Sequence, residues 1–331
     1  MGSVEEPAEV GSFGTITDRH TVVDHDGRSG ARIETARLAD GTRVYVKTAR
    51  VRDDLAGLLT GTATRELELL RTGVLDRLPD GVGTALVGVE VIDGNLVTVS
   101  RDLGDAVLRW DRVLAADEVL RILDLITDVH RAFADQPPPG LCPLPTRLSL
   151  LGPENLDLAA TANPALAAAI RRGWELFADL VPADVSGAVH RAQRDPGPLA
   201  AAMAAGGSTL THGDFWLVNL ALTDELLIPM DWGIATLAPS SLDLITFCVG
   251  GMSNVALTRE ELLAAARAAC RDLVDEAAFA ATEFWALLEL GWNKALDAID
   301  HPDPAKRAAE RADLDFWVRR ARAALDSGAL P

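Results

Sequence analysis

The chain has 331 residues, of which 48% are hydrophobic and 24% charged. That composition supports a large buried core and excludes wholesale disorder and a fibrous repeat; at about 150 residues per domain it suggests two domains, or one domain with two lobes. With 31 basic against 49 acidic residues the net charge is −18, which repels phosphate backbones and anionic lipid and argues against nucleic acid or a membrane surface as the main partner.

The N-terminal run MGSVEEPAEVG is acidic and lacks the apolar stretch of a signal peptide. No uncharged apolar run is long enough for a convincing span, so a soluble cytoplasmic protein is expected. A strand is expected around 21–24. The dipeptide Asp40-Gly41 lies between β-rich runs at 31–38 and 42–48, and Asp93-Gly94 lies between runs at 84–92 and 96–100. Asp-Gly between such runs is a strong hairpin signal. A helix over 62–71, stopped by Gly73, separates the two hairpins. The expected order is three strands, one helix and two strands in one antiparallel sheet.

From about residue 103 the periodicity becomes helical. Ala116–Phe133 aligns Val119, Ile122, Leu123, Ile126, Val129 and Phe133 on one stripe. His130 also lies on that stripe and reads as a satisfied core histidine. The run QPPPGLCPLP over 136–145 predicts a stiff loop. Further helices are expected at 164–181, 258–275, 277–296 and 304–325. Thr258 with Glu261, and Ser240 with Asp243, have the spacing of capping boxes. Cys142, Cys248 and Cys270 are far apart and form no C-x-x-C pair, so neither a disulfide framework nor a thiolate zinc site is expected. A small β lobe followed by a larger helical lobe leaves a cleft for a ligand.

The most informative segment, THGDFWLVNLALTDELLIPMDWG, contains His212, Asp214, Asn219 and Asp231. It reads as a short hairpin that turns at Thr223-Asp224-Glu225, so its two ends return to one place. Asn219 and Asp231 there supply the hard oxygen donors that Mg2+ prefers. Asp214, on the same loop, can accept a proton from a substrate hydroxyl. The strand Val44-Tyr45-Val46-Lys47 follows the V-A-I-K arrangement and offers a cation to nucleotide phosphates. A carboxylate must fix that lysine. On the inserted helix Glu66 can turn toward the sheet, whereas Glu68 points to water. Trp285, Leu288, Glu289 and Trp292 fall at i, i+3, i+4 and i+7, a face that could meet an acceptor through ring stacking and a carboxylate; the simpler reading is an amphipathic edge with Glu289 reaching out to water.

The lobe order, Lys47, Glu66, the H-G-D-x-x-x-x-N loop ending at Asn219 and the Asp231-Trp232 pair after a hairpin resemble the aminoglycoside phosphotransferase family of small-molecule kinases. Choline, homoserine and sugar kinases of the same protein-kinase-like fold are relatives. The resemblance spans nearly the whole chain. It implies an α+β, protein-kinase-like two-lobe fold, with a small antiparallel β N-lobe carrying one helix (1–103, nucleotide binding) and a larger, mainly helical C-lobe (104–331, catalysis and substrate binding). It implies Asp214 as catalytic base or substrate-orienting carboxylate, Asn219 and Asp231 as Mg2+ ligands, and Lys47, paired with Glu66, on the α- and β-phosphates of ATP or GTP. His212 and Asp243 would support the catalytic loop, and residues 100–103, with Asp102, would form the hinge whose backbone meets the purine. The loop DHDGRSGAR departs from the family, because it holds only Gly27 and Gly30 of a G-x-G-x-x-G pattern; its N–H groups, with Ser29 and Gly30, would cover phosphates. Tyr45 replaces the small residue of V-A-I-K.

The expected partners are a nucleoside triphosphate and a small hydroxylated acceptor, with the chain a monomer or homodimer. An antibiotic or sugar-like acceptor leads. A metabolic kinase of choline, an amino acid or a sugar, a nucleotide-binding pseudokinase and a metal-dependent hydrolase are the alternatives.

Overall fold

A computed structural model of the chain describes residues 8–9, 13–23 and 30–330. The N-terminal part is a six-stranded antiparallel sheet built from β1 (Ala8–Glu9), β2 (Thr15–Thr21), β3 (Arg32–Leu38), β4 (Arg43–Arg50), β5 (Leu86–Ile92) and β6 (Asn95–Arg101), in the order β1-β2-β3-β4-β6-β5. Both Asp-Gly hairpins form, with different turns. Asp93 and Gly94 both take positive φ, +48° and +75°, the geometry whose twist matches the flanking strands. In the first turn only Gly41 is left-handed, and the connection is longer.

Two expectations for this lobe are corrected. The strand expected at 21–24 is β2, which ends at Thr21; a register shift between Thr17 and His20, with Asp18 at φ +52°, interrupts the alternation that would have revealed it. The helix expected over 62–71 forms as α2 (Arg65–Arg71), but it is not the only inserted one: α1 (Leu55–Thr60) precedes it. Asp54 caps α1 by accepting from Gly57 N at 2.7 Å, and Gly61 at φ +82° ends it.

The helical part contains α3 (Ala116–Phe133), α4 (Leu144–Leu148), α5 (Leu156–Ala162), α6 (Pro164–Leu180), α7 (Ala183–Arg194), α8 (Gly197–Met203), α9 (Ser241–Gly251), α10 (Arg259–Ala269), α11 (Glu276–Asp300) and α12 (Pro304–Asp326). The stripe expected on α3 is fully buried. α4 starts inside the segment expected to be a loop, since proline is tolerated in a first helical turn. Thr258 and Glu261 make the expected reciprocal cap on α10. Ser240 and Asp243 do not form one, because both side chains are engaged elsewhere.

Short strands between the helices carry the polar motif. β8 (Thr209–Thr211) pairs with β11 (Thr236–Ala238), which also pairs with β7 (Cys142–Pro143); β9 (Leu220–Leu222) and β10 (Leu227–Pro229) form a hairpin. The hairpin is also the joint between the lobes. Leu227 exchanges backbone hydrogen bonds with Gly81 and Gly83 at 2.9 Å each, and Leu108 N donates to Leu220 O at 2.8 Å. All three cysteines are buried and unpaired, and burial pushes their thiols up, so none is a ready nucleophile. Among the described residues no helix is long and apolar enough to cross a membrane.

Candidate active site at the lobe junction

The loop after β8 is held from below by a buried carboxylate. Asp243, in the first turn of α9, accepts from His212 N at 2.6 Å and Gly213 N at 2.9 Å, and His130 Nε2 lies 2.9 Å from it. The other His130 nitrogen meets Ser240 Oγ at 2.6 Å. Burial alone would raise the Asp243 carboxyl; the bond to His130 and the facing donors outweigh it and hold the group below its ordinary range. Gly213 is required here by both conformation and space. Its φ is +79°, and a Cβ would stand 2.2 Å from Ile234 O.

His212 ties the two ends of the motif together. Its Nδ1 accepts from Asp214 N at 3.3 Å, so the proton sits on Nε2, which donates to Met230 O at 2.9 Å. Its ring also packs against Trp232, centroid to centroid 4.6 Å. This is a bracing role.

The hairpin closes as its turn residues predict. Thr223 Oγ1 accepts from Leu226 N at 2.8 Å, and Met230 N donates to Asn219 O at 2.8 Å, so Asn219 and Asp231 stand side by side. Asn219 Nδ2 donates to both Asp214 O and Asp214 Oδ2 at 2.9 Å. With the amide nitrogen so committed, Oδ1 accepts no bond among the described residues and stays available. Asp231 adopts φ +62°, a left-handed conformation costly for a side-chain-bearing residue and the kind of strain that concentrates at functional sites.

Lys47 reaches this cluster from β4, where Val44 and Val46 face the sheet core and Tyr45 and Lys47 the other side. Its Nζ donates to Asp231 Oδ2 at 2.7 Å. The expected Lys47–Glu66 ion pair is therefore corrected to Lys47–Asp231. Glu66 is buried beside it and accepts from Trp232 N at 3.0 Å and from Thr98 Oγ1 at 3.4 Å. Burial, and then the charge of Asp231, push the Glu66 carboxyl up to about 7. Burial would lower the Lys47 ammonium, but the carboxylates of Asp231 and Glu66 outweigh it and raise it. Lys47 in turn holds Asp231 below its ordinary range. Asp214 goes the other way: burial and the negative Asp231 raise it, against the pull of Arg147.

Other expected residues sit elsewhere. Ser29 lies outside the described residues, and Gly30 (φ +74°) opens the chain toward β3. The Asp102 carboxylate meets Arg43 of β4 at 2.6 Å and accepts from Gly104 N at 2.9 Å, which holds the segment after β6. The face of Trp285, Glu289 and Trp292 is neither an acceptor platform nor a solvated edge: all three side chains are buried. Glu289 is gripped at both oxygens by Arg147, 2.7 Å each, and Arg147 Nε donates to Gly213 O at 2.8 Å. The Arg147 guanidinium also lies 5.2 Å from the Trp285 ring centroid.

Sequence reasoning missed Arg147, Arg65 and Trp216. Arg65, also buried, donates to Gly233 O at 2.6 Å, Thr60 Oγ1 at 3.1 Å and Gly140 O at 3.2 Å, and so fastens α2 to the loop after Asp231. Only Trp216, inside the motif itself, had a local signal.

Asn219 Oδ1 and the Asp231 carboxylate are hard, adjacent oxygens beside a lysine suited to phosphate, and they fit a divalent ion if phosphate and water complete its shell. Among the described residues no group of three His, Cys, Asp or Glu side chains forms a self-sufficient metal centre.

No protein-family model and no curated protein sequence matches the chain. Solved structures do match in fold. An aminoglycoside phosphotransferase from Streptomyces rimosus superposes with a TM-score of 0.52 at 16% identity, over 83% of this chain and 92% of that one. An amicoumacin kinase in complex with AMP-PNP and Ca2+ gives 0.53 at 12% identity, over 95% and 90%. The chain thus has the two-lobed, protein-kinase-like fold found in aminoglycoside phosphotransferases, the family its motifs resemble.

Proposed function

We propose that the protein is a small-molecule O-phosphotransferase that moves the γ-phosphoryl of ATP or GTP to an acceptor hydroxyl, with an antibiotic or sugar-like acceptor as the leading class. The observation that carries this reading is the convergence of Asp214, Asn219, Asp231 and Lys47, drawn from both lobes, at one junction. Residues 1–103 would bind the nucleotide and 104–331 supply the catalytic loop and acceptor site, in a cytoplasmic enzyme.

Asp214 receives the proton of the acceptor hydroxyl. The freed oxygen attacks the γ-phosphorus, the bond to the β-phosphate oxygen breaks, and a nucleoside diphosphate leaves. Lys47 neutralises the nucleotide phosphates. Asn219 and Asp231 would hold Mg2+, which when bound neutralises and orients phosphate oxygens. Glu66 and Arg65 fix the segment after Asp231, and Asp243, His130 and His212 fix the loop that carries Asp214.

A panel of aminoglycosides, macrolides, sugars, choline and hydroxyamino acids, each read by the mass gain of one phosphate, identifies the acceptor. With that acceptor, Asp214→Ala is expected to lower turnover by about 100-fold or more while nucleotide affinity stays within a few-fold. Unchanged turnover would reject Asp214 as the base. A wild-type protein that binds nucleotide and phosphorylates no acceptor would favour the pseudokinase reading.

A further inference from the structure

The carboxylate of Asp214 is gripped at both oxygens. Asn219 Nδ2 holds Oδ2, and the indole Nε1 of Trp216 donates to Oδ1 at 2.6 Å, the shorter of the two bonds. An indole N–H can only donate, so this contact keeps Oδ1 an acceptor and fixes the plane of the carboxylate. Trp216 N also donates to Asp214 O at 2.8 Å, which tightens the turn between the two residues.

The indole is itself seated by α9. A Cβ on Gly250 would stand 2.3 Å from Trp216 Cε3 and 2.4 Å from Cζ3, so only glycine leaves room for the ring at this point. Gly250 shares a helix face with two other contacts to the same loop. Asp243, Phe247 and Gly250 stand at i, i+4 and i+7, one stripe of the helix. Asp243 holds the backbone of His212 and Gly213, the Phe247 ring lies 6.1 Å from that of Phe215, and Gly250 receives Trp216. Loop residues 212–216 are thus laid in order along one side of a rigid, buried helix.

From this geometry we infer that Trp216 is a positioning residue for Asp214, and that Gly250 of α9 sets where the indole N–H points. The inference rests on the phosphotransfer reading only in its kinetic part. Trp216 touches neither metal nor nucleotide in this account; it acts through Asp214.

The test uses Trp216→Phe, which keeps a ring on Gly250 and deletes the donor, Gly250→Ala, which keeps the donor and displaces it, and the double variant. The first readout is the set of indole 1H–15N resonances of the wild-type chain. The resonance missing from Trp216→Phe is expected to shift in both Asp214→Asn and Gly250→Ala. If Asp214→Asn leaves it unmoved, the bond is absent and the inference is overturned. The second readout is nucleoside diphosphate formed from MgATP or MgGTP, with the acceptor found in the panel or with water in its place. Trp216→Phe should lower kcat by about 10- to 100-fold, the range expected for a lost hydrogen bond to a charged group, with nucleotide KM within twofold. Gly250→Ala should lower kcat in the same way, and the double variant should be no slower than Trp216→Phe, because both changes act through one contact. Unchanged kcat in Trp216→Phe, or losses that multiply in the double variant, would overturn the inference. Should Trp216→Phe melt below the assay temperature, Gly250→Ala and the resonance shift decide. If Asp214→Asn retains turnover, the role of Asp214 as the base fails instead, and the indole resonance still decides whether Trp216 holds Asp214.

Discussion

At the scale of single residues, the site sets like charges against each other and shares one cation among them. Asp231, Glu66 and Asp54 carry three carboxylates toward Lys47, and only Asp231 bonds it directly. Glu66 bears the cost, because it is buried and its carboxyl stands at about 7 against an ordinary 4.5. A raised carboxyl means that the folded state holds a proton the unfolded chain has released, so stability falls as pH rises between those two values. Glu66→Gln removes the titration and keeps an oxygen for Trp232 N–H. In metal- and nucleotide-free protein, the stability of Glu66→Gln relative to wild type should therefore grow from pH 5 to pH 8, as read by urea unfolding. A difference that stays flat across that range would contradict the buried, protonating Glu66.

At the scale of elements, α4, α9 and α11 support the loop that carries Asp214 from different sides. α11 presents Glu289, α4 presents Arg147, and the paired Arg147 donates its Nε to Gly213 O inside the core. Taking two charges out of water is expensive, and breaking such a pair leaves one of them uncompensated. Glu289→Leu should therefore destabilise the fold by about 3–5 kcal/mol, and Arg147→Met/Glu289→Leu should recover at least half of that loss in chemical denaturation. A double variant as unstable as Glu289→Leu alone would mean that the bond to Gly213 O, not the ion pair, holds the elements together. The legibility of each element follows from its patterning. The Asp-Gly hairpins and α3 could be read directly because turn chemistry and a clean apolar stripe are local signals. α9 could not, since SLDLITFCVGG is buried all round and shows no polar face to mark its period. α4 was masked by the prolines around it.

Across the whole molecule, the β lobe and the helical lobe meet where the motif lies, through Lys47–Asp231, Glu66–Trp232 N and Arg65–Gly233 O. The two-lobe fold was legible because the switch from period-2 to period-3.6 patterning falls near residue 103 and the structure leaves β6 at Arg101. Asp214, Asn219 and Asp231 were legible because one short segment, a loop and the hairpin after it, carries them all. The residues that brace them were not: Arg147 and Glu289 are 142 positions apart, and Arg65 and Gly233 are 168 apart, separations over which sequence patterning is silent. The same distance misled the reading of Glu289, whose helix face looked open until the partner supplied by α4 was placed on it. The most direct measurement of the central claim is calorimetric titration of nucleotide with and without Mg2+. Wild type and Asp214→Ala should bind more tightly with Mg2+ present, and Asn219→Ala and Asp231→Ala should lose most of that gain. An equal Mg2+ effect in all four proteins would contradict the account.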